Sequence, residues 1–179
     1  MRLPAPVLLL TGLPGSGKTT LARGLMLDRL THGIAVEVID GDAYREGLCS
    51  DLGFSRADRI ENNRRIGFVA GRLSLHGIVV IIASIAPYRE GRDAIRSQCP
   101  GVKVVHVSCP MEELFRRDPK GHYRRATLPK DNPAHIPEFT GVSAPYEPLR
   151  RADLVLDTYT DSQTQCLRKL RALLEDDHV

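Results

Sequence analysis

A glycine-rich octapeptide near the start of the chain has the residue types and spacing of a phosphate-binding loop. Its residues are Gly12, Leu13, Pro14, Gly15, Ser16, Gly17, Lys18 and Thr19. They lie between an apolar run and a stretch with helical spacing, which is the context that G-x-x-x-x-G-K-[ST] requires. Glycines let successive backbone N–H groups face one centre, and the start of the helix adds partial positive charge. With Lys18 on the outer phosphates and the Thr19 hydroxyl on Mg²⁺, the loop predicts a nucleoside triphosphate site in an ATPase, a GTPase or a kinase.

Two carboxylates and a guanidinium follow the second apolar run, at Asp40, Asp42 and Arg45. In open α/β folds, ligands bind beyond the carboxyl ends of the parallel strands, so these side chains are candidates for the acceptor side. Asp42 is predicted to orient or deprotonate an attacking hydroxyl, and Asp40 to hold a Mg²⁺-bound water. The alternative is that Asp40 caps a helix and Arg45 is an ordinary surface residue.

A third group of polar and aromatic residues includes Phe54, Arg59 and Asn62. Arg59 and Asn62 are three apart, so they share a helix face, and an arginine with an amide suits an anionic, nucleotide-like acceptor. Phe54 is expected to stack on a base, and Ser55 or Asp58 to cap the helix. An ordinary charged helix face is the alternative. After the third apolar run, Arg89 and Arg92 are predicted either to face the phosphates or to begin a helix.

Five short apolar runs rich in Val, Ile and Leu alternate with helical patterns. Such runs are typical of buried parallel strands, and the alternation predicts an α/β fold with a five-stranded parallel sheet flanked by helices. The strands are predicted at residues 7–10, 35–39, 78–83, 102–107 and 154–156. The helices are predicted at 18–30, 59–75, 111–117 and 162–174. Leu21, Leu25, Leu27 and Leu30 are expected on one buried side of the first helix.

The segment from residue 119 to residue 148 holds six of the twelve prolines and is predicted to contain no core element. From residue 116 to residue 151 there are eight Lys or Arg against four Asp or Glu. Long loops inside compact domains are usually functional, so the segment is predicted to be a mobile lid over phosphates. A solvated loop is the alternative.

Size and composition set further limits. A chain of 179 residues with 42% hydrophobic content predicts one domain over 1–179. The net charge of +3 gives no reason to expect a nucleic-acid partner. The four cysteines, Cys49, Cys99, Cys109 and Cys166, lack metal-ligand spacing. The apolar run at 7–10 is too short for a membrane span or a signal core, so a cytoplasmic protein with reduced thiols is expected.

Taken together, the separate motifs resemble the adenylylsulfate kinase family. They are the phosphate loop, D-G-D-x-x-R, L-G-F-S-x-x-D-R-x-E-N-x-R-R-I-G, P-Y-R, R-D-P-K-G-x-Y and F-T-G-V-x-x-P-Y-E, in the family's order from about residue 8 to residue 158. The resemblance implies a fold like that of nucleoside monophosphate kinases, ATP and Mg²⁺ as co-substrates, and a homodimer. It implies phosphorylation of the 3′-hydroxyl of adenosine 5′-phosphosulfate.

The resemblance also implies a role for each matching residue. Lys18, Asp40 and Asp42 are the implied catalytic residues, with Asp42 near the hydroxyl. On the ATP side, Thr20 and Arg117 join the octapeptide, and Arg117 lies against the base. The residues implied on the acceptor side are Asp42, Arg45, Phe54, Arg59, Asn62, Ile85, Lys120 and Phe139. Among these, the two phenylalanines would clasp the adenine, and Lys120 would start the lid.

Two departures from the family pattern bear on function. Ala86 stands where the family has a serine that carries a phosphate in some members, so a phosphoserine at this position is excluded. Residues 127–138 form a longer stretch than the family has. Because the lid forms part of the acceptor pocket, the alternative is a kinase of the same build that acts on another nucleotide-linked small anion. A non-catalytic nucleotide-binding subunit and a switch-type NTPase are the alternatives from other classes.

Overall fold

The structure, a computed structural model, describes residues 3–175 and is built on a five-stranded parallel sheet. The strands lie in the order β2-β3-β1-β4-β5. They are β1 (Val7–Thr11), β2 (Val36–Asp40), β3 (Val79–Ala83), β4 (Lys103–Ser108) and β5 (Leu154–Asp157). Each predicted strand is confirmed to within one residue at either end. The central strand β1 therefore delivers the phosphate loop to the middle of the carboxyl edge.

The helices cover the two faces of this sheet. They are α1 (Lys18–Thr31), α2 (Gly41–Glu46), α3 (Arg56–Leu75), α4 (Arg89–Gln98), α5 (Met111–Arg117), α6 (His122–Ala126) and α7 (Gln163–Glu175). The four predicted helices are confirmed, although α3 begins at Arg56, three residues earlier than predicted. Ser55 is its N-cap, and the Ser55 hydroxyl accepts from the Asp58 N–H. Helices α2 and α6 were not predicted, and α4 only as one alternative for Arg89 and Arg92. The two unpredicted helices have six and five residues, too few to show a helical period.

The core lies in two layers because alternate residues of each strand point to opposite faces. Leu8 packs with α1 and α7 on one face, and Leu9 with α3 and α4 on the other. The prediction of one buried side on α1 is wrong for Leu27 and Leu30, which are 61% and 50% exposed. At about 100° per residue, each lies well away from the face that Leu25 turns to the sheet.

The segment 119–148, called the lid segment below, has a small core of its own, so the prediction of no core element is wrong. Its buried residues are Tyr123, Ala126 and Phe139, packed against Leu114 of α5. The Tyr123 and Phe139 rings meet edge to face, with centroids 5.0 Å apart. Aromatic rings bury a large apolar area, so these two rings stabilise the packing of the lid segment on α5. The lid segment is thus tied to the body through packed side chains.

Candidate active site

The phosphate loop has the close approaches that its glycines allow. A Cβ at Gly12 would lie 2.2 Å from the Val107 carbonyl oxygen, so only glycine fits beside β4. Gly17, the N-cap of α1, has φ +97°, a left-handed conformation that glycine adopts without strain. The loop thereby turns directly into α1, and the free N–H groups of the first helical turn point towards the site. The structure places the predicted loop in the predicted context.

Lys18 folds back onto the loop that it follows. Its ammonium donates to the carbonyl oxygens of Gly12, at 2.9 Å, and Leu13, at 2.7 Å. Burial lowers the pKa of Lys18 from 10.5 to about 8, while the nearby carboxylates of Asp42 and Asp40 oppose this shift. The ammonium is therefore a poorly solvated cation, and phosphate oxygens can replace the two carbonyls as its partners.

Thr19 and Asp40 form the candidate metal site. The Thr19 hydroxyl donates to Oδ2 of Asp40 at 2.8 Å, and the other carboxylate oxygen accepts from the Asp42 N–H at 3.0 Å. Asp40 is therefore the N-cap of α2, which was the alternative to a metal-binding role, and it also contacts Thr19 of the phosphate loop. A hydroxyl and a carboxylate beside a phosphate-binding loop are oxygen donors that suit Mg²⁺, so the residues fit this ion.

Asp42 lies opposite the start of the lid segment. Its Oδ2 accepts from the Lys120 ammonium at 2.7 Å, across 78 residues of chain. Both side chains are largely exposed, so the pair can open at little cost. The hydrogen bond to Asp42 raises the pKa of Lys120. Two residues that the sequence predicted separately thus meet at the carboxyl edge of the sheet.

Phe54 lies between two guanidinium groups. The Arg45 guanidinium is 4.8 Å from the ring centroid, and that of Arg59 is 5.4 Å. Arg59 also donates to the carbonyl oxygens of Phe54, at 2.8 Å, and Glu138, at 2.9 Å. The Phe54 side chain remains 59% exposed, so a ring face or edge is open to a ligand. The structure brings together the predicted aromatic and cationic groups and joins them to the lid segment.

Asn62 supplies a second sign of a polar ligand. It lies on the face of α3 that carries Arg59, and its Oδ1 is buried without a hydrogen-bond partner among the described residues. A buried polar atom without a partner is costly, so a ligand donor would stabilise it. Burial also lowers the pKa of Arg59 and of Arg45. Desolvated cations bind anions more strongly than hydrated ones do.

Two other predicted acceptor residues lie in different environments. Ile85 is half-buried beyond β3, and its carbonyl oxygen accepts from the Thr11 hydroxyl at 2.6 Å. The adjacent Ala86 has φ +43°, a left-handed conformation that is rare outside glycine. Phe139 is only 9% exposed and packs on Tyr123, so its predicted contact with adenine needs the lid segment to rearrange. That contact stays a prediction.

A cavity of about 200 Å³ lies on the far side of the phosphate loop. Gly17, Thr20, Arg117 and Thr158 contribute to its walls. The Arg117 guanidinium donates to the Thr158 carbonyl oxygen at 2.7 Å and to its hydroxyl at 3.2 Å. Because this cavity opens beside the loop and holds both Thr20 and Arg117, its position suits the base of a bound nucleotide.

Comparison with known proteins identifies the family. The family model for adenylylsulphate kinase matches residues 5–157. The chain belongs to the adenylylsulphate kinase family. The adenylyl-sulfate kinase of Chloroflexus aurantiacus is 46% identical over 92% of this chain and 86% of that protein. The adenylyl-sulfate kinase of a Synechococcus strain is 45% identical over 88% of this chain and 86% of its own length.

Solved structures of APS kinases have the same fold as this adenylylsulphate kinase family member. The Mycobacterium tuberculosis APS kinase in complex with AMPPNP and APS matches with a TM-score of 0.90 at 35% identity, covering 97% of this chain and 99% of that one. The hexameric APS kinase from Thiobacillus denitrificans matches with a TM-score of 0.69 at 30% identity, covering 98% of this chain and 30% of that one. The predicted phosphate-loop kinase fold is confirmed. With close relatives named adenylyl-sulfate kinase, the chain is a kinase, and another acceptor class is not favoured.

Arg92 is occupied by backbone carbonyl oxygens in this adenylylsulphate kinase family member. Its buried guanidinium donates to the carbonyl oxygens of Ala86, at 2.9 Å, and Pro87, at 3.1 Å. It also donates to those of Glu147, at 3.1 Å, and Pro148, at 3.2 Å. Arg92 therefore joins the loop after β3 to the end of the lid segment. Of the two predictions for this residue, the one that places it near the start of a helix is confirmed.

The sequence did not indicate a role for two residues at the site. Thr158 contacts Arg117 and donates to the Ser16 carbonyl oxygen at 3.0 Å. Tyr146 lies with its hydroxyl 2.9 Å from the Thr11 hydroxyl. Thr158 directly follows β5, at the carboxyl edge where ligands bind, and Tyr146 lies in the matched motif F-T-G-V-x-x-P-Y-E. Both signals were present in the sequence without indicating a role.

All four cysteines are free, and three of them, Cys49, Cys99 and Cys166, are buried. Within residues 3–175, no group of three or more His, Cys, Asp or Glu side chains is placed to hold a metal ion. None of the helices in that part of the chain is long and apolar enough to cross a bilayer.

Proposed function

We propose that this kinase transfers the terminal phosphoryl group of ATP to the 3′-hydroxyl of adenosine 5′-phosphosulfate, which gives ADP and 3′-phosphoadenylylsulfate. The observation that carries the proposal is one sheet edge that holds the phosphate loop, the Thr19–Asp40 pair and the Asp42–Lys120 pair. A relative with the same fold forms a complex with AMPPNP, an ATP analogue, and APS. The phosphate loop supplies the site for ATP, the Thr19–Asp40 pair supplies a site for Mg²⁺, and the Asp42–Lys120 pair marks the site for the acceptor.

On the donor side, Lys18 exchanges its bonds to the Gly12 and Leu13 carbonyl oxygens for bonds to phosphate oxygens. The backbone N–H groups of the loop and of the first turn of α1 bind the remaining phosphate charge. The cavity at Thr20 and Arg117 receives the adenine of ATP. The terminal phosphorus atom is thereby held with its leaving oxygen directed towards the loop, as in-line transfer requires.

We propose that the Thr19 hydroxyl holds Mg²⁺ directly and that Asp40 holds it through a water molecule. The Thr19 hydroxyl oxygen and a carboxylate oxygen of Asp40 already lie 2.8 Å apart. When bound, the ion supplies charge neutralisation for the phosphate oxygens. Asp40 also holds the start of α2, so the same carboxylate fixes the position of Asp42 two residues later. Metal affinity and the orientation of the acceptor carboxylate therefore depend on one side chain.

On the acceptor side, Phe54 stacks on the adenine, while Arg45, Arg59 and Asn62 bind the phosphosulfate. The acceptor oxygen forms its bond to the terminal phosphorus as the bond to the bridging oxygen of ADP breaks. The 3′-hydroxyl proton passes to Asp42, whose carboxylate is released when Lys120 turns to the transferred phosphate. The lid segment would then move as a mobile lid that carries Lys120.

The defining experiment incubates purified protein with Mg-ATP and adenosine 5′-phosphosulfate and measures ADP and the 3′-phosphorylated product. We expect stoichiometric formation of both, strict dependence on the acceptor, and complete loss of product with Lys18→Ala. ADP release without an acceptor would indicate an ATPase, and no turnover would indicate a binding subunit. Either result would refute the proposal.

We also propose three properties that rest on the sequence and the resemblance alone. They are a single functional domain over 1–179, a homodimer, and a location in the cytoplasm. A light-scattering mass near twice 19.8 kDa would support the dimer, and a mass equal to one chain would exclude it. Limited proteolysis that releases no stable fragment would support the single domain, and fractionation of cells would test the location.

A further inference from the structure

A second cluster of cationic side chains surrounds a cavity of about 240 Å³ outside the active site. The cavity lies between α4 and the segment that leaves the lid. Its walls are formed by Arg89, Arg92, Asp93, Arg96, Leu149, Arg150 and Arg151. Five arginines and one aspartate thus line the cavity, which concentrates positive charge at one place in a chain with a net charge of +3.

The protein neutralises the charges at this cavity only in part. Asp93 is shared between Arg89, at 3.5 Å, and Arg96, at 3.2 Å. Arg150 and Arg151 are exposed, and neither has a hydrogen bond or ion pair within residues 3–175. Clustered like charges repel one another, so the arrangement favours an anion as the missing partner.

The nearby Glu147 does not provide the missing charge. Its carboxylate accepts from the Arg89 backbone N–H at 2.6 Å and lies 3.5 Å from Arg56. It does not line the cavity. The Arg92 guanidinium is also committed, because its two terminal nitrogens donate to four carbonyl oxygens. The unpaired guanidinium groups at the cavity are therefore those of Arg150 and Arg151.

We propose that this cavity, called the arginine cavity, is a binding site for a small tetrahedral oxyanion such as sulfate or phosphate. Its volume of about 240 Å³ is below the range typical of sites for drug-sized molecules, so it suits a single anionic group rather than a whole nucleotide. Guanidinium groups match such anions because their N–H donors form paired hydrogen bonds. An anion bridging Arg150 or Arg151 to α4 would fix the segment through which the lid joins β5.

The test measures anion binding in protein whose phosphate loop has lost its lysine. Lys18→Ala removes the main cation of that loop, and because Lys18 is poorly solvated, the variant is expected to fold. In this background, Arg150→Ala/Arg151→Ala removes two cavity charges. The matched control is Arg72→Ala/Arg168→Ala, which removes two exposed arginines that do not line the cavity. Calorimetric titrations use sodium sulfate and sodium phosphate, with sodium chloride at equal ionic strength as reference.

We expect a sulfate or phosphate site whose affinity is at least tenfold weaker in the cavity variant and changes by less than twofold in the control. Comparison of the two titrations shows which anion the cavity prefers. Saturable binding of either anion that is lost or weakened in the cavity variant supports the proposal. Equal weakening in both double variants would mean general charge attraction and would overturn the proposal, as would heats no larger than those of chloride. Selenate soaked into crystals of the Lys18→Ala protein should give an anomalous peak at Arg150 and Arg151; its absence there would contradict the site. Because neither readout depends on turnover, failure here and failure of the proposed kinase reaction are distinguishable.

Discussion

The Lys120 ammonium lies 2.7 Å from a carboxylate oxygen of Asp42, so the first residues of the lid segment contact the acceptor edge of the sheet. The pair is exposed and contributes little to stability, but it neutralises a carboxylate that the proposed reaction needs free. In the proposed reaction, this ion pair would keep Lys120 beside Asp42 until the charge of the substrate attracts it. The contact is therefore expected to matter for turnover rather than for folding.

Lys120→Ala separates these two effects. We expect kcat/KM for the acceptor to fall about 10- to 100-fold, because a charge-assisted hydrogen bond of about 1.5–3 kcal/mol is lost in the transition state. The free energy of unfolding should change by less than about 0.5 kcal/mol. Steady-state kinetics and urea denaturation measure the two quantities. Lys130→Ala, at another exposed lysine of the lid segment, is the control, and equal activity losses in both variants would argue against a specific role.

Asp40 has two functions that substitution can separate. Asp40→Asn retains an oxygen for the α2 cap but removes the charge beside Thr19, whereas Asp40→Ala removes both. We expect the Mg²⁺ concentration for half-maximal rate to rise about tenfold or more in both variants, because a carboxylate is lost near the metal. Only Asp40→Ala should also lose about 1 kcal/mol of stability through the cap. Unchanged Mg²⁺ dependence in Asp40→Asn would exclude Asp40 from the metal site.

The lowered pKa of Lys18 predicts a pH dependence with a definite sign. Below about pH 8 the ammonium is charged in both the folded and the unfolded chain, and its burial is costly. Between about 8 and 10.5 the unfolded chain binds more protons, so this group makes stability rise with pH. The lowering of the Lys18 pKa from 10.5 to about 8 corresponds to about 3 kcal/mol. Lys18→Met should therefore be more stable than the wild type at pH 7, with the difference shrinking towards pH 10 in denaturation experiments.

The same group should set the alkaline limit of ATP use. Phosphate binds the charged ammonium, so kcat/KM for ATP should decline above a pKa of about 8, which is that of Lys18 in the free enzyme. Initial rates between pH 6.5 and 9.5 at subsaturating ATP measure this limb. A level profile to pH 9.5 would show that Lys18 keeps its proton throughout. The nucleotide affinity of Lys18→Arg should be constant over this range, because arginine does not titrate there.

The sequence contained most of the fold because parallel strands are buried on both faces and therefore appear as apolar runs, as all five residues of β3 do. It contained the phosphate loop because the chemistry requires fixed local spacing. The contacts between distant residues could not be predicted this way. Arg117 and Thr158 are 41 residues apart and no pattern links them. Helix α6 was missed because its five residues lie among prolines, and only the packing of Tyr123 on Phe139 shows why it forms.

Phe54 and Phe139 offer a direct comparison between an exposed and a buried aromatic residue. Phe54→Ala should raise the KM for the acceptor about tenfold, since stacking on a base contributes about 1–3 kcal/mol, and should change stability by less than about 1 kcal/mol. Phe139→Ala removes a ring from the core of the lid segment and should cost about 3 kcal/mol. Urea denaturation and acceptor kinetics give both values. If Phe54→Ala left the KM unchanged, the acceptor base would not bind there.

Arg92 is expected to be a positioning residue, because it touches no reacting group yet joins the loop after β3 to the end of the lid segment. Lysine retains the charge but lacks the planar fork that serves four carbonyl oxygens at once. Arg92→Lys should therefore cost about 3 kcal/mol in urea denaturation. It should raise the KM for the acceptor more than that for ATP, since Ile85, in the loop that Arg92 holds, is predicted to bind the acceptor. Arg96→Lys, at a residue of the same helix paired with Asp93 at the surface, should change stability by less than about 0.5 kcal/mol. Equal stability of the two variants would show that the four carbonyl contacts do not hold the lid segment in place. If Arg92→Lys raised the KM for ATP as much as the KM for the acceptor, the cause would be a general loss of structure and not a displaced loop after β3.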